Sequence, residues 1–300
     1  MTDKELGFLL LTSQLGNPRR RPLTVAQLRN LAGRVRSMER SEENRQMVPD
    51  DLVRLGYFNE EARHILALLE DRELLEYYLY KGRRAGCVPL IRAGVDYPGI
   101  VRRRLGDDSP GCLWAKGDPS VLNSPAVALV GSRDLGKENR LFAENVGIQA
   151  AQAGFTLVSG NARGADLTAQ QACLQAGGKV ICVVADSLER HPLHPKVLYL
   201  SEDSYDAPFS TQRALSRNRV IHALGRLVFV AQANYGRGGT WDGTVRNLKA
   251  GWSNVYCFQD GSRAVEELTR LGAVPIGISA LLSIQSLYQQ NNRDSFPADT

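Results

Sequence analysis

The sequence predicts an α/β protein, a doubly wound, mostly parallel sheet preceded by a small helical domain. Three features predict it. Short all-apolar runs, such as Ala126-Val127-Ala128-Leu129-Val130 and Val180-Ile181-Cys182-Val183-Val184, read as strands buried on both faces. Amphipathic helical segments alternate with these runs, which is the pattern of a sheet with crossover helices. The first 85 residues read instead as short helices separated by turns, with apolar residues returning at helical spacing. At 300 residues the chain is longer than one core comfortably organises, so two domains are expected.

Residues 1–85 form the helical domain. Thr24 is an N-cap for a helix from Val25 to Ala32. Pro49-Asp50-Asp51 opens a second at Leu52, with carboxylates at the positive helix end. Asn59-Glu60-Glu61 opens a longer stretch from Ala62 to about Tyr80, striped by Ile65, Leu68, Leu69 and Leu75. Residues 86–124 carry Pro89, Pro98, Pro110 and Pro119 and read as a connector with one short helix.

Residues 125–276 hold the sheet. Strands are expected from Ala126 to Val130, Phe155 to Val158, Val180 to Val184, Leu198 to Leu200, Leu227 to Ala231 and Asn254 to Phe258. Helices are expected from Lys137 to Ala153, Gly164 to Gln175, Gln212 to Ala223, Thr240 to Lys249 and Ser262 to Leu271. Ala273 to Ile276 closes the domain. Residues 277–300 add a helix from Ile278 to Gln290 and a tail to Thr300 expected to be mobile.

Composition narrows the function classes. The chain is 43% hydrophobic and 23% charged, which argues against wholesale disorder. No apolar run reaches the roughly 18 residues of a membrane span. The polar start Met1-Thr2-Asp3-Lys4-Glu5 lacks the features of a secretory signal, so a cytoplasmic location is expected. Five widely spaced cysteines without a C-x-x-C disfavour a disulfide framework or structural zinc. His191-Pro192-Leu193-His194 reads as a polar loop, and neither a metal nor another cofactor is expected.

Charge is uneven along the chain. Residues 1–105 hold 19 Lys and Arg against 14 Asp and Glu, whereas the remainder holds 18 of each. The excess includes Arg19-Arg20-Arg21 and Arg102-Arg103-Arg104. It is compatible with a nucleic acid or another anion, and equally with a solvated surface.

Parallel strands finish on one edge, where ligands bind. Three glycine-bearing turns follow strands there: Gly131-Ser132-Arg133, Ser159-Gly160-Asn161-Ala162-Arg163-Gly164 and Gly236-Arg237-Gly238-Gly239-Thr240. Glycines let backbone N–H groups approach a ligand, two of the turns open helices, and each carries an arginine. Together they point to a phosphate cradle. No G-x-x-x-x-G-K-[ST] and no G-x-G-x-x-G follows the first strand, which disfavours a P-loop hydrolase and a dinucleotide oxidoreductase. Arg213 and Arg217, four residues apart, share a helix face with Arg219 nearby, and need a phosphate or a carboxylate between them. Tyr235 and Trp241 flank the third turn as candidate stacking planes, although the core is the better place for Trp241.

Val130-Gly131-Ser132-Arg133, Ser159-Gly160-Asn161-Ala162-Arg163-Gly164-Ala165-Asp166, Gly177-Gly178 and Arg217-Asn218-Arg219-Val220-Ile221 resemble the DprA/Smf DNA-processing family over about residues 90–276. The resemblance implies an extended Rossmann-like fold, a homodimer, single-stranded DNA as ligand and a recombinase as partner. It places phosphate contacts at Gly131, Ser132, Arg133, Ser159, Gly160, Arg163, Gly164, Arg217, Asn218, Arg219, Gly238, Gly239 and Thr240. The wider superfamily, which includes the LOG enzymes, uses the same rim for nucleotides. Gly238-Gly239-Thr240-Trp241 resembles a DprA-like branch outside the competence group. Asn247 stands where the LOG motif carries its glutamate, so no catalytic residue is expected. The reading is a non-enzymatic single-stranded DNA-binding protein. The alternatives are a nucleotide-sensing or nucleotide-processing protein on the same rim, and a scaffold that recruits a protein through the helical domain.

Overall fold

Side-chain alternation along the strands divides the core into two layers. The computed structural model describes residues 1–36, 47–202 and 204–294. Helices α1 (Asp3–Thr12), α2 (Val25–Val35), α3 (Pro49–Arg54), α4 (Asn59–Glu70) and α5 (Arg72–Arg84) precede β1 (Cys87–Ile91), α6 (Gly99–Leu105) and β2 (Cys112–Lys116). The parallel part follows: β3 (Ala126–Val130), α7 (Lys137–Gln152), β4 (Thr156–Ser159), α8 (Ala165–Gln175), β5 (Val180–Val184) and β6 (Val197–Glu202). Then come α9 (Thr211–Ser216), α10 (Asn218–Leu224), β7 (Leu227–Val230), α11 (Gly239–Ala250), β8 (Asn254–Phe258), α12 (Arg263–Arg270), β9 (Val274–Ile276) and α13 (Ile284–Asp294).

Among the described residues these strands form one nine-stranded sheet, ordered β1-β2-β6-β5-β4-β3-β7-β8-β9. From β6 to β9 every neighbour is parallel, while β2 and β1 extend the β6 edge antiparallel. Val127 and Leu129 face one layer, with Phe142 and Val146 of α7 and Ala165 and Ala169 of α8. Ala128 and Val130 face the other, with Val101 and Leu105 of α6, Val220 and Ile221 of α10, and Val265 and Leu268 of α12. The extended Rossmann-like α/β class is therefore present. No helix among the described residues is long and apolar enough to cross a membrane.

The structure departs from the sequence expectation in several places: α1 is not among the expected helices, and Ile278–Ser283 forms a 3-10 segment ahead of α13. Residues 86–124 supply two strands rather than a bare connector. Pro89 argued against a strand there, but β1 is the outermost strand, where a missing N–H leaves no ladder bond unmade. The stretch from Ala62 to Tyr80 is two helices that meet at Asp71, and buried Arg20 holds the corner. Its Nε donates to Asp71 at 2.8 Å, and its other nitrogens donate to the carbonyls of Ser13, Leu10 and Leu68. The helix expected from Gln212 to Ala223 is divided at Arg217 into α9 and α10. The expected tail, residues 295–300, lies outside the described residues.

Part of the basic excess turns inward. Besides Arg20, Arg102 donates to Gly94 O at 2.7 Å, and Arg104 donates to Ala223 O and Gly225 O, tying α6 to the α10–β7 turn. Burial, and then the charges of Arg226 and Arg103, push Arg104 down to about 10. It remains charged at neutral pH.

Packing divides the helical region. Leu23, Leu31, Leu52, Ala62, Ile65 and Leu68 form a separate core around α2 to α4. Leu9 and Leu10 of α1, and Leu75, Tyr78 and Leu79 of α5, join the main sheet core instead. Each such buried side chain is worth roughly 1.5–3 kcal/mol, against about 0–1 for a surface ion pair. Apolar contacts therefore set how α5 is rotated. Gly82, on that inner face, leaves room for the ring of Trp114, since a Cβ there would sit 2.8 Å from it and 3.1 Å from Tyr205. Both rings are fully buried. Gly82→Ala is expected to lower stability by about 1–3 kcal/mol in urea unfolding. An unchanged midpoint would show that the Trp114 ring has room to retreat.

Candidate functional site

Strand order reverses between β3 and β7, the position at which open α/β sheets bind ligands. The loops leaving these strands are joined: Ser132 N donates to Gln232 O at 2.9 Å and Gly136 N to Gln232 Oε1 at 2.9 Å. A cavity of about 640 Å³ opens above them, lined by Gly131, Ser132, Arg133, Arg217, Asn218, Gly238, Gly239 and Thr240. A second, of about 460 Å³, lies toward β5 and is lined by Gly160, Asn161 and Arg163. Arg133, Ala162, Phe209, Ala214 and Arg217 line both, so the two form one groove along the carboxyl ends of the strands. Distant turns thus meet on one rim, as expected. Ser159, Gly164 and Arg219 line neither cavity.

The glycines of the second turn serve packing more than ligand approach. A Cβ on Gly160 would overlap the Arg217 guanidinium. Gly164 has φ +88°, and a Cβ there would overlap the carbonyl oxygens of Ser132 and Arg133. The N-terminus of α8 is also engaged: Ala165 N donates to Ser132 O, and Asp166 Oδ2 accepts from Ala162 N at 3.2 Å. Like α8, α11 has no side-chain cap and carries an acid, Asp242, in its first turn, and Gly238, Gly239, Thr240 and Asp242 line the larger cavity. Asn218 braces that turn by donating to Gly239 O at 2.9 Å.

The arginines divide into braces and rim cations. Arg217 is only 7% exposed, its ion pair with Asp166 is long at 4.0 Å, and its Nε has no hydrogen-bond partner among the described residues. Burial pushes Asp166 up and Arg217 down, and each one's charge opposes the shift of the other. Arg219 corrects the sequence reading: it lines neither cavity but a neighbouring one that shares Leu215, Gly239 and Asp242 with the larger, and its guanidinium is already held. It pairs with Glu202 at 3.2 Å and donates to Asp108 O and Ser216 O. Arg213 is held by Ser201 Oγ and Ala185 O. Arg133 and Arg237 are exposed, line the larger cavity and form no ion pair among the described residues. Arg163 meets Asp134 at 3.0 Å, with both side chains largely exposed, a contact worth little.

The sequence reading did not single out Phe209 as a stacking plane. It is 54% exposed and lines both cavities. The available signal was an aromatic in a polar segment just before Ser210, whose Oγ caps α9 through Arg213 N. Tyr235 instead meets Trp241 edge-on at 5.0 Å and lies under the Arg263 guanidinium at 4.1 Å. Asn247 is fully buried, bonded to Ser253 and to His222 Nδ1 at 3.0 Å. Burial and the Arg217 charge push His222 down to about 3, so its ring is neutral and accepts there. Asn247 is thus a structural link and does not reach the groove.

Residues 90–258, more than half the chain, match the protein family described as DNA recombination-mediator protein A. DNA processing protein DprA of Streptococcus pneumoniae is 36% identical over 138 residues, which is 42% of this chain and 48% of that protein. The matched stretch therefore spans about half the length of that relative. A crystal structure of DprA from Streptococcus pneumoniae superposes with a TM-score of 0.70 at 24% identity, covering 94% of this chain and 98% of the other. The DprA structure from Helicobacter pylori, described for its single-stranded DNA binding mode, gives 0.56 at 23% identity, covering 68% and 96%. These two superpositions bear on the fold alone.

Removing Asp166 would leave the Arg217 charge buried and unpaired. Asp166→Ala is expected to cost about 3–5 kcal/mol in chemical unfolding. Arg133→Ala, at the exposed rim, should change stability by less than about 0.5 kcal/mol. Equal effects of the two would erase the division between brace and rim.

Proposed function

Because the chain belongs to the DNA recombination-mediator protein A family, we propose that it binds single-stranded DNA, without catalysis, along the carboxyl edge of its sheet. The observation that carries this reading is Arg217. A guanidinium with an unpartnered Nε lies buried where the two cavities join, and a buried donor without an acceptor is costly until an anion supplies one. Exposed Arg133 and Arg237 and the uncapped start of α11 flank the same groove, which gives a strand's phosphates successive contacts. Phe209 offers a plane for a base. Asn247, where the LOG motif carries its glutamate, is tied into the interior, and the nearby carboxylate of this loop in the cavity lining, Asp242, is a first-turn acid of α11, which supports binding over cleavage. A homodimer and a recombinase partner belong to the same proposal.

Cavity size favours a second reading. Volumes of about 640 and 460 Å³ also suit a single nucleotide, and a nucleotide-sensing or nucleotide-processing protein would use the same donors.

Fluorescence polarisation with short single strands at several salt concentrations decides between the two. With Arg133, Arg217 and Arg237 on phosphates, log affinity should fall with log salt at a slope of about −2, at about −0.7 per contact. Arg133→Ala should make that slope shallower by about 0.7. Phe209→Ala should weaken binding about tenfold, with little change in slope. A flat salt response refutes strand binding. A mononucleotide that raises Tm, with no competition from oligo-dT, establishes the second reading in its place.

A further inference from the structure

The inner face of α5 is occupied by Leu75, Tyr78, Leu79 and Gly82, which repeat at helical spacing against the sheet. That packing fixes the helix rotation, and it obliges Tyr77, Tyr80, Lys81 and Arg84 to share the outer face. Tyr77 is 60% exposed and Tyr80 50%. The Lys81 ammonium stands 5.6 Å from the Tyr77 ring centre and the Arg84 guanidinium 5.9 Å from that of Tyr80. Between residues 77 and 84 there are three cations and no acid, while exposed Glu73 and Glu76 stand one turn before Tyr77 and Tyr80. Helix-dipole complementarity accounts for cations in the last turn. It does not account for two tyrosines held in water beside them. Aromatic planes alternating with unpaired cations are the chemistry that takes a single strand: bases stack and phosphates pair.

The helix is joined to the groove through its inner face. Tyr78 OH donates to Asp206 Oδ1 at 2.8 Å, and Tyr205 packs on Tyr78 and Trp114 with ring centres 4.7 and 4.8 Å away. Phe209 lies three residues beyond Asp206, at most roughly 10 Å of chain. The segment that carries Phe209 into the groove is therefore anchored on α5 itself. We infer that the outer face of α5, through Tyr77, Tyr80, Lys81 and Arg84, is a second contact platform for single-stranded DNA, engaged by strands that extend beyond the groove. The inference rests on the groove reading proposed above.

The test uses the full chain and oligo-dT of about 6 and about 20 nucleotides. Tyr77→Ala with Tyr80→Ala should bind the short strand like the parent and the long one at least tenfold more weakly. Lys81→Gln with Arg84→Gln should make the salt slope shallower by about 1.4 on the long strand only. All four side chains are exposed, so the fold is expected to survive, and an unchanged Tm checks this. If both double variants bind the long strand like the parent while Arg133→Ala weakens both lengths, the platform is refuted and the groove stands. Equal losses at both lengths in the α5 variants also overturn it. Parent-like binding by Arg133→Ala at both lengths refutes the groove reading and removes the premise of the platform.

Discussion

A buried guanidinium set against a buried carboxylate organises this molecule's functional edge. Arg217 lies over Gly160, faces Asp166 across 4.0 Å and lines both halves of the groove. The pair joins the α9–α10 junction to the start of α8, so the second turn, the helix it opens and the groove floor are held by one electrostatic contact. The distance leaves that contact unsaturated. A shorter, bidentate pair would close off the donors, and a missing acid would leave the charge without compensation. The observed spacing keeps a charge in the interior with capacity for a further anion.

The rim around that pair separates support from contact. Arg219, Arg213 and Asn218 hold neighbouring segments in place, through Glu202, Ser201 and Gly239 respectively. Arg133 and Arg237 remain in solvent, where a strand or a nucleotide can reach them. The helix starts are alike in lacking a side-chain cap and in carrying an acid, Asp166 or Asp242, in the first turn, but Ala165 N of α8 already donates to Ser132 O. A rigid inner ring carrying a solvated outer one is an arrangement suited to a flexible polyanion, because the phosphates need not match a fixed geometry at every contact.

The same division explains the basic residues of the first third. Arg20, Arg102 and Arg104 sit in runs that read as surface charge, yet each caps backbone carbonyls at a corner between elements. A guanidinium with five donors can close such corners where a single amide cannot. Other cations of that third, among them Arg19, Arg21, Arg29, Arg54 and Arg103, stay exposed, and Lys81, Arg83 and Arg84 at the end of α5 lie near two exposed tyrosines.

Local pattern was enough for most of the elements. Strands β3, β5, β7 and β8, buried on both faces, show as apolar runs, and the turns after β3, β4 and β7 show as glycines with arginines. The meeting of those turns on one rim follows from parallel strands ending together, so it too was legible. Pro89 misled because a proline's cost depends on whether its strand has a neighbour on the N–H side, and β1 has none. Asp71 and Arg217 interrupt helices through partners 51 residues before them in the first case and 51 residues before them in the second, Arg20 and Asp166. No window of sequence contains both members of either pair. Whether an arginine is a brace or a free cation is set by acceptors that arrive from elsewhere in the chain, and so the composition of the groove was readable along the sequence while the roles within it came from three-dimensional packing.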